Sequence, residues 1–160
     1  MSVRSVAAEA GVSAGRVQHY FGTKDQLVRA SVDFMIEAAE RSHAEATRES
    51  SPAEQLWAVL SHAIPRASAS PTATSVFYSF VAAAVSDPHI AATLADAKSG
   101  AEQEIARLLR AVRPGLAAPG EQARRLLAVS DGLTMRVLIG SLTAAEAEAA
   151  LRETLDDLLA

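Results

Sequence analysis

Signals that start an α-helix recur along this chain, and they constrain its fold more than any other feature. Capping boxes pair a Ser or Thr with an amide or acid three residues later, and they occur at Thr23, Ser51 and Thr143. Asp87 followed by a proline is a further start signal. Aromatic residues, which favour strands, make up only 4% of the chain. The pattern therefore predicts an all-α fold.

The stop signals are Gly22, Pro71 and the proline- and glycine-containing loop of residues 113–120. Together with the start signals they predict helices over residues 2–10, 14–21, 24–48, 52–69, 72–86, 88–112, 121–140 and 144–159. This pattern divides the chain into an N-terminal head, residues 1–23, a linking helix, residues 24–48, and a helical body, residues 49–160.

Charge and hydropathy indicate a soluble cytoplasmic protein. The net charge is −4, and basic residues outnumber acidic ones only near the N-terminus, so a small basic head precedes an acidic body. The longest apolar run, Val81 to Val85, is far shorter than the ~20 residues of a membrane span. The first residues lack the apolar stretch of a signal peptide. We therefore expect no membrane partner.

Catalytic and metal-binding patterns are missing from the sequence. It contains no cysteine, no nucleophile elbow, no phosphate-binding glycine loop and no H-E-x-x-H motif. The histidines do not have metal-ligand spacing. We therefore predict that the protein is not an enzyme and needs neither a cofactor nor a metal.

The head has the pattern of a helix-turn-helix. Val3, Val6 and Ala7 form an apolar stripe on the first helix, and Gly11 begins a tight corner before the second helix. Val17 lies on the apolar side of the second helix, whose other side is polar. Such a helix fits the major groove of double-stranded DNA, although any amphipathic helix pair gives a similar pattern.

The polar side of the second helix supplies the candidate DNA contacts. Arg16 and Gln18 suit guanine and adenine edges, whereas His19, Tyr20 and Lys24 suit phosphates. Ser2, at the start of the first helix, is a further phosphate candidate. The predicted DNA-binding residues are Ser2, Ala14, Gly15, Arg16, Gln18, His19, Tyr20 and Lys24.

Residues 5–27, SVAAEAGVSAGRVQHYFGTKDQL, closely resemble the DNA-binding signature of the TetR/AcrR transcriptional regulators. That signature has an A-x-x-A-G-V-S turn, a short recognition helix that ends in an aromatic pair, and a Lys and a Leu that open a long helix. Residues 126–133 and 143–159 are similar to the last two helices of the family's betaine-repressor-like branch. The resemblance implies a ligand-responsive repressor that a small molecule releases from a palindromic operator.

Two features depart from the family pattern. The family commonly has Tyr where this chain has Gln18, and it begins with a further helix before the first helix of this sequence. Either the sequence is truncated or the head is incomplete, and in both cases Val3, Val6, Val17 and Phe21 are expected to lack a partner surface. The alternative function is therefore a helical ligand-binding or interaction dimer that does not bind DNA.

The body carries two further predictions, which the resemblance supports. The last two helices are apolar on broad faces and predict a homodimer seam, with an ordinary intramolecular core as the alternative. The seam residues are Leu126, Ser130, Leu133, Val137, Leu151, Leu155 and Leu158. The family's body encloses a ligand cavity, and the candidates for contacts with a small-molecule effector, each of which could instead be plain core, are Trp57, His62, Phe77, Tyr78, Phe80 and Met135.

Overall fold

The computed structural model describes residues 2–66 and 71–160, and the fold of these residues is all-α, as predicted. None of the helices in this part of the chain is long and apolar enough to cross a membrane. Three helices have the predicted bounds, those that begin at Ala14, Pro88 and Ala144. The helices are α1 (Val3–Glu9), α2 (Ala14–Phe21), α3 (Lys24–Ala46), α4 (Pro52–Ser61), α5 (Pro71–Ala84), α6 (Pro88–Val112), α7 (Pro119–Leu138) and α8 (Ala144–Leu159).

The predicted capping boxes form at the helix starts. At α4, the amide of Ser51 donates to Glu54 Oε2 at 2.7 Å, and the amide of Glu54 donates to Ser51 Oγ at 3.4 Å. The same reciprocal bonds start α3 at Thr23 and α8 at Thr143. These bonds satisfy amides that have no partner within the helix, which is why the short sequence signals place the helix starts correctly.

The helix predicted over residues 52–69 ends much earlier, at Ser61. Pro65 has no N–H to donate to the carbonyl of Ser61, so the helical ladder cannot continue through it. The amide of Ile64 instead donates to that carbonyl at 3.2 Å in a turn. Residues 67–69 of the predicted helix lie outside the described residues.

The head has a small apolar core of its own. Ala7 of α1, Val17 of α2 and Leu27 of α3 form a buried cluster, and Val17 is only 6% exposed. Packed around it are the partly buried side chains of Val3, Val6, Val12, Ala14 and Phe21. The expectation that Val3, Val6, Val17 and Phe21 would lack a partner surface is therefore wrong, because the first turn of the linking helix supplies Leu27.

The main core lies in the body, between α4, α6, α7 and α8. Its fully buried side chains include Leu56, Ile105 and Leu151, which come from three different helices. A second cluster joins Val32 of the linking helix α3 to Phe80 of α5 and to the first turns of α6. Apolar packing therefore connects the head to the body through α3.

Candidate functional site

The corner between α1 and α2 holds α2 in a fixed orientation on the head. Gly11 has a φ of +64°, which glycine adopts without the strain that a side chain would introduce. The amide of Val12 then donates to the carbonyl of Ala7 at 2.9 Å, and Ser13 Oγ accepts from the amide of Arg16 at 3.2 Å. The turn and the cap thus present one side of α2 to the surroundings.

The outward side of α2 is polar and open. The side chains of Arg16, Gln18 and His19 are exposed, and Tyr20 keeps 73% of its surface exposed despite its size. A Cβ atom added at Gly15 would come no closer than 4.0 Å to a neighbouring atom, so packing does not require a glycine there. The absence of a side chain at Gly15 leaves room for the close approach of another molecule.

Two of the predicted DNA-contact residues, Ser2 and Ala14, make contacts within the chain itself. Ser2 Oγ accepts from the amide of Ser5 at 3.1 Å and takes part in the capping box of α1. Ala14 packs against the head core. Lys24, at the first position of α3, is exposed, and neither Lys24 nor Arg16 takes part in an ion pair with the residues that the structure describes.

The six candidate effector contacts do not share one cavity. Trp57 and His62 line a cleft of about 320 Å³ between the C-terminal part of α3 and α4. Phe80 is 8% exposed and packs with Val32 in the second core cluster, so it is a core residue. Met135 lies on the surface of α7 and is 47% exposed.

Tyr78 belongs to a polar cluster between α5, α6 and α7, and Phe77, which packs against the second core cluster, lies beside it. Tyr78 Oη donates to the carbonyl of Asp131 at 3.0 Å, and the Asp131 carboxylate is 2.5 Å from Lys98 Nζ. The Lys98 ammonium lies 5.5 Å from the centre of the Phe77 ring. Burial raises the pKa of Tyr78, and the charge of Asp131 raises it further, so its hydroxyl stays a hydrogen-bond donor at neutral pH.

Beside the predicted residue His62, the cleft contains two basic residues that the sequence analysis did not single out, His43 and Arg66. The His43 and His62 rings stand edge to face with their centres 6.5 Å apart, and Arg66 also lines the cleft. Partial burial lowers the pKa of His62, and the positive charges of His43 and Arg66 lower it further. These residues come from two separated segments of the chain, so no local sequence motif could have identified them.

One buried hydroxyl group in the body has no hydrogen-bond partner among the described residues. Thr134 of α7 is 1% exposed, and its Oγ1 atom is unpaired. One turn earlier, Ser130 Oγ donates to the carbonyl of Leu60 at 2.6 Å and joins α7 to α4. Of these two buried hydroxyls of α7, only that of Ser130 is therefore shown to bond to another helix.

The predicted dimer residues divide into two groups. Leu126, Ser130, Leu151 and Leu155 are buried in the chain's own core, so they are not available to a partner. Leu133, Val137 and Leu158 are partly buried and pack against that core. The apolar surface that α7 and the turn after it leave open contains Met135 and Ile139 instead, and Ile139 is 71% exposed. These side chains remain exposed because α7 is apolar on two faces and only one of them packs in the chain's own core.

Three comparisons with known proteins agree with this architecture. A family model described as "Bacterial regulatory proteins, tetR family" matches residues 1–31, and one described as "BetI-type transcriptional repressor, C-terminal" matches residues 52–160. The chain is 33% identical over 143 residues to the HTH-type transcriptional regulator BetI of Stenotrophomonas maltophilia. That alignment covers 84% of this chain and 69% of the relative.

Two solved structures share the fold. A transcriptional regulator from Rhodococcus sp. Rha1 superposes with a TM-score of 0.85 at 28% identity, and the match covers 99% of this chain and 84% of that one. A transcriptional regulator from Saccharomonospora viridis, solved in complex with choline, superposes with a TM-score of 0.86 at 20% identity. This second match covers 97% of this chain and 84% of the other.

Proposed function

The chain belongs to the TetR family of bacterial transcriptional regulators, and from this premise we propose that it is a ligand-responsive repressor whose helix α2 reads the operator. The observation that carries the proposal is the polar, exposed side of α2 above a buried head core. A helix can read base edges only if its support is rigid, and Val17 gives α2 such a support. This core and the family match favour DNA binding over a ligand-binding dimer that does not bind DNA.

Arg16 and Gln18 are the residues that we assign to base edges. Both side chains are exposed on the outer side of α2. Arg is suited to the two acceptors of guanine and Gln to the donor and acceptor of adenine. His19, Tyr20 and Lys24 surround them with groups that donate to phosphates, and these contacts would fix the register of the head on DNA.

A homodimer would present two heads to one operator. Two α2 helices enter successive major grooves when their centres are about 34 Å apart, and the two-fold symmetry of such a dimer makes the operator nearly palindromic. We assign the dimer seam to the exposed apolar surface of α7 and the turn after it, which contains Met135 and Ile139, together with the outer side of α8. Continuity between these two helices, whose inner faces share the body core, supports this assignment.

A small-molecule effector would act through α3, because this helix carries Leu27 of the head core and Val32 of the second cluster in the body. An effector releases DNA only if it binds more tightly to the arrangement of heads that does not fit the operator. The S. viridis relative was solved with choline, which makes choline one compound to test here.

The test is the effect of Arg16→Ala on two kinds of DNA. Operator fragments are first selected from random duplexes with the wild-type chain, and affinities are then measured by fluorescence anisotropy. Arg16→Ala should cost about 1–3 kcal/mol on the selected operator and much less on random DNA. Arg110→Ala, an exposed arginine on α6, is the matched control. Equal losses of Arg16→Ala on both DNAs would remove Arg16 from base recognition, and failure to select any DNA would contradict the proposed function.

A further inference from the structure

The cleft between α3 and α4 has one wall on the helix that carries the head and another on the body. It encloses about 320 Å³, and the residues that line it include Ser42, His43, Thr47, Trp57, His62 and Arg66. The hydroxyl groups and the aromatic ring make it suitable for a small molecule with polar and apolar parts. Because the walls belong to different helices, a molecule bound there would contact both sides of the junction.

The ionisable side chains that line the cleft are all basic, although the charge of Arg66 is balanced by a carboxylate outside the lining. The titratable or charged residues that line it are His43, His62 and Arg66, and no Asp or Glu lines it among the described residues. Two carboxylates lie close to these basic residues, since Glu148 pairs with Arg66 and Glu104 interacts electrostatically with His43. Glu148 of α8 lies 2.5 Å from Arg66 Nε, and Glu104 of α6 lies 2.6 Å from Arg107.

Positive charges beside a partly buried histidine disfavour its protonated state. The pKa of His62 is lowered by its partial burial and by the charges of His43 and Arg66. An anion placed between these three residues would reverse the effect, since it would neutralise the repulsion and accept hydrogen bonds from both rings. Uptake of a proton would then accompany binding of the anion.

The tryptophan in the cleft is poorly placed for a cationic ligand. The Arg152 guanidinium of α8 lies 3.5 Å from the centre of the Trp57 ring and covers one face of it. A quaternary ammonium would have to compete with this guanidinium for the π-system and would also meet the positive charge of Arg66. The uncovered part of the indole remains available to an apolar group.

We propose that this cleft binds a small organic carboxylate as the effector, with His43, His62 and Arg66 as donors to the carboxylate and Trp57 against its apolar part. The inference rests on the proposed function, because it names the chemical class of the effector. A carboxylate that joins His43 of α3 to His62 after α4 would hold the C-terminal part of the linking helix against the body. Such a clamp would change the spacing of the heads through α3.

Trp57 is the only tryptophan of the chain, so its fluorescence reports on this cleft directly. Benzoate is the probe for a carboxylate with an apolar ring, and choline is the cationic probe. Each is titrated into the full chain at about pH 6 and about pH 8, a range in which histidine changes its protonation. Benzoate should produce a saturable change in fluorescence, with tighter binding at the lower pH, whereas choline should produce none.

The variants His62→Gln and Arg66→Gln separate the cleft from other sites. Each removes one donor, and each should weaken benzoate binding about tenfold or more, because hydrogen bonds to a charged group are stronger than neutral ones. Thermal unfolding of each variant checks that it is folded. Arg110→Gln removes an exposed arginine of α6 and should leave the benzoate affinity unchanged. The pH dependence should also become smaller in His62→Gln, because one of the two histidine donors is gone, and a purely structural role of His62 would not explain that change.

Three outcomes of these titrations would contradict the proposed carboxylate site. No saturable response to benzoate, equal affinity in the wild type and both variants, or a fluorescence response to choline instead would each overturn the assignment to carboxylates. Addition of benzoate to the complex with the selected operator DNA tests the regulatory step, and release of DNA is the expected result. If the chain binds DNA but not benzoate, this inference fails while the proposed function stands. If it binds benzoate but no DNA, the proposed function fails.

Discussion

Arg29 of the linking helix donates from Nε to Asp87 Oδ2 at 3.0 Å, and Asp87 is also the N-cap of α6. The other carboxylate oxygen of Asp87 accepts from the amides of His89 and Ile90 at the start of that helix. One carboxylate therefore joins the start of a body helix to the helix that carries the head. The position of α3 and the orientation of α6 are coupled through this residue.

A second set of polar contacts lies one turn further along α3. The carboxylate of Asp33 lies 3.1 Å from His89 Nε2 and accepts from Thr93 Oγ1 at 3.0 Å. Next to Asp33 in the sequence, Val32 packs with Ile90 in the second core cluster. The polar and apolar contacts together join α3 to α6.

Asp87 is expected to stabilise α6 as its N-cap. Asp87→Ala should lower the midpoint of thermal unfolding more than Asp87→Asn, because asparagine can still cap α6 although it cannot pair with Arg29. Circular dichroism at neutral pH measures both midpoints. Equal midpoints for the two variants would show that the cap contributes nothing there.

The same carboxylate predicts a pH dependence. The hydrogen bond from Arg29, with smaller contributions from the amides of Ile90 and His89, lowers the pKa of Asp87 from its ordinary value of 3.8. A lowered pKa stabilises the fold above pH 3.8, and this stabilisation is lost as the pH falls further. The difference in midpoint between the wild type and Asp87→Asn should therefore shrink as the pH falls below 3.8. A constant difference would contradict this explanation.

Replacement of Thr134, whose buried hydroxyl is unpaired among the described residues, is expected to stabilise the fold. Thr134→Val keeps the shape of the side chain and removes a buried donor that has no partner among the described residues. Stability should increase by about 1 kcal/mol, because the cost of burying the hydroxyl disappears. Ser130→Ala is the matched control. It removes the hydrogen bond to the carbonyl of Leu60, so the free energy of unfolding should fall by about 1 kcal/mol. Urea denaturation measures both, and destabilisation by Thr134→Val would show that the hydroxyl is satisfied in solution.

The proposed dimer seam is tested at Ile139. This side chain is 71% exposed in the single chain, so Ile139→Glu should leave the subunit folded. In the dimer the same charge would be buried without a partner at a cost of several kcal/mol. Sedimentation velocity should then show monomers with a helical circular dichroism spectrum. Leu151→Glu, inside the core, should instead unfold the chain. A dimer that persists in Ile139→Glu would place the seam elsewhere.

Lys24 is predicted to contact a phosphate and not a base. Lys24→Ala should weaken binding to the selected operator and to random DNA by similar factors. The slope of the logarithm of affinity against the logarithm of salt concentration should fall by about one charge. Anisotropy titrations at several salt concentrations measure both quantities. A loss confined to the operator would instead indicate that Lys24 reads a base.

Local hydrogen bonds explain why the sequence predicted the helices so closely. A capping box is satisfied within four residues, so the starts at Thr23, Ser51 and Thr143 do not depend on the rest of the fold. The helix-turn-helix corner is equally local, since it needs only Gly11 and the Ser13 cap. The end of α4 was predicted too late, although the sequence already contained a local stop signal. Pro65 cannot continue a helix.

Tertiary packing decided which face of each helix is covered and which residues meet. The sequence shows that α7 and α8 are apolar on broad faces, but only the packed structure places Leu126 and Leu155 inside the subunit and leaves Ile139 outside. Likewise, no local pattern shows that Leu27 covers Val17 in the head, or that His43 meets His62 across a cleft. Caps and turns are fixed by neighbours in sequence, so the sequence by itself determined where the helices lie. Contacts between helices depend on how every other helix packs, so the tertiary structure determined which residues form the sites.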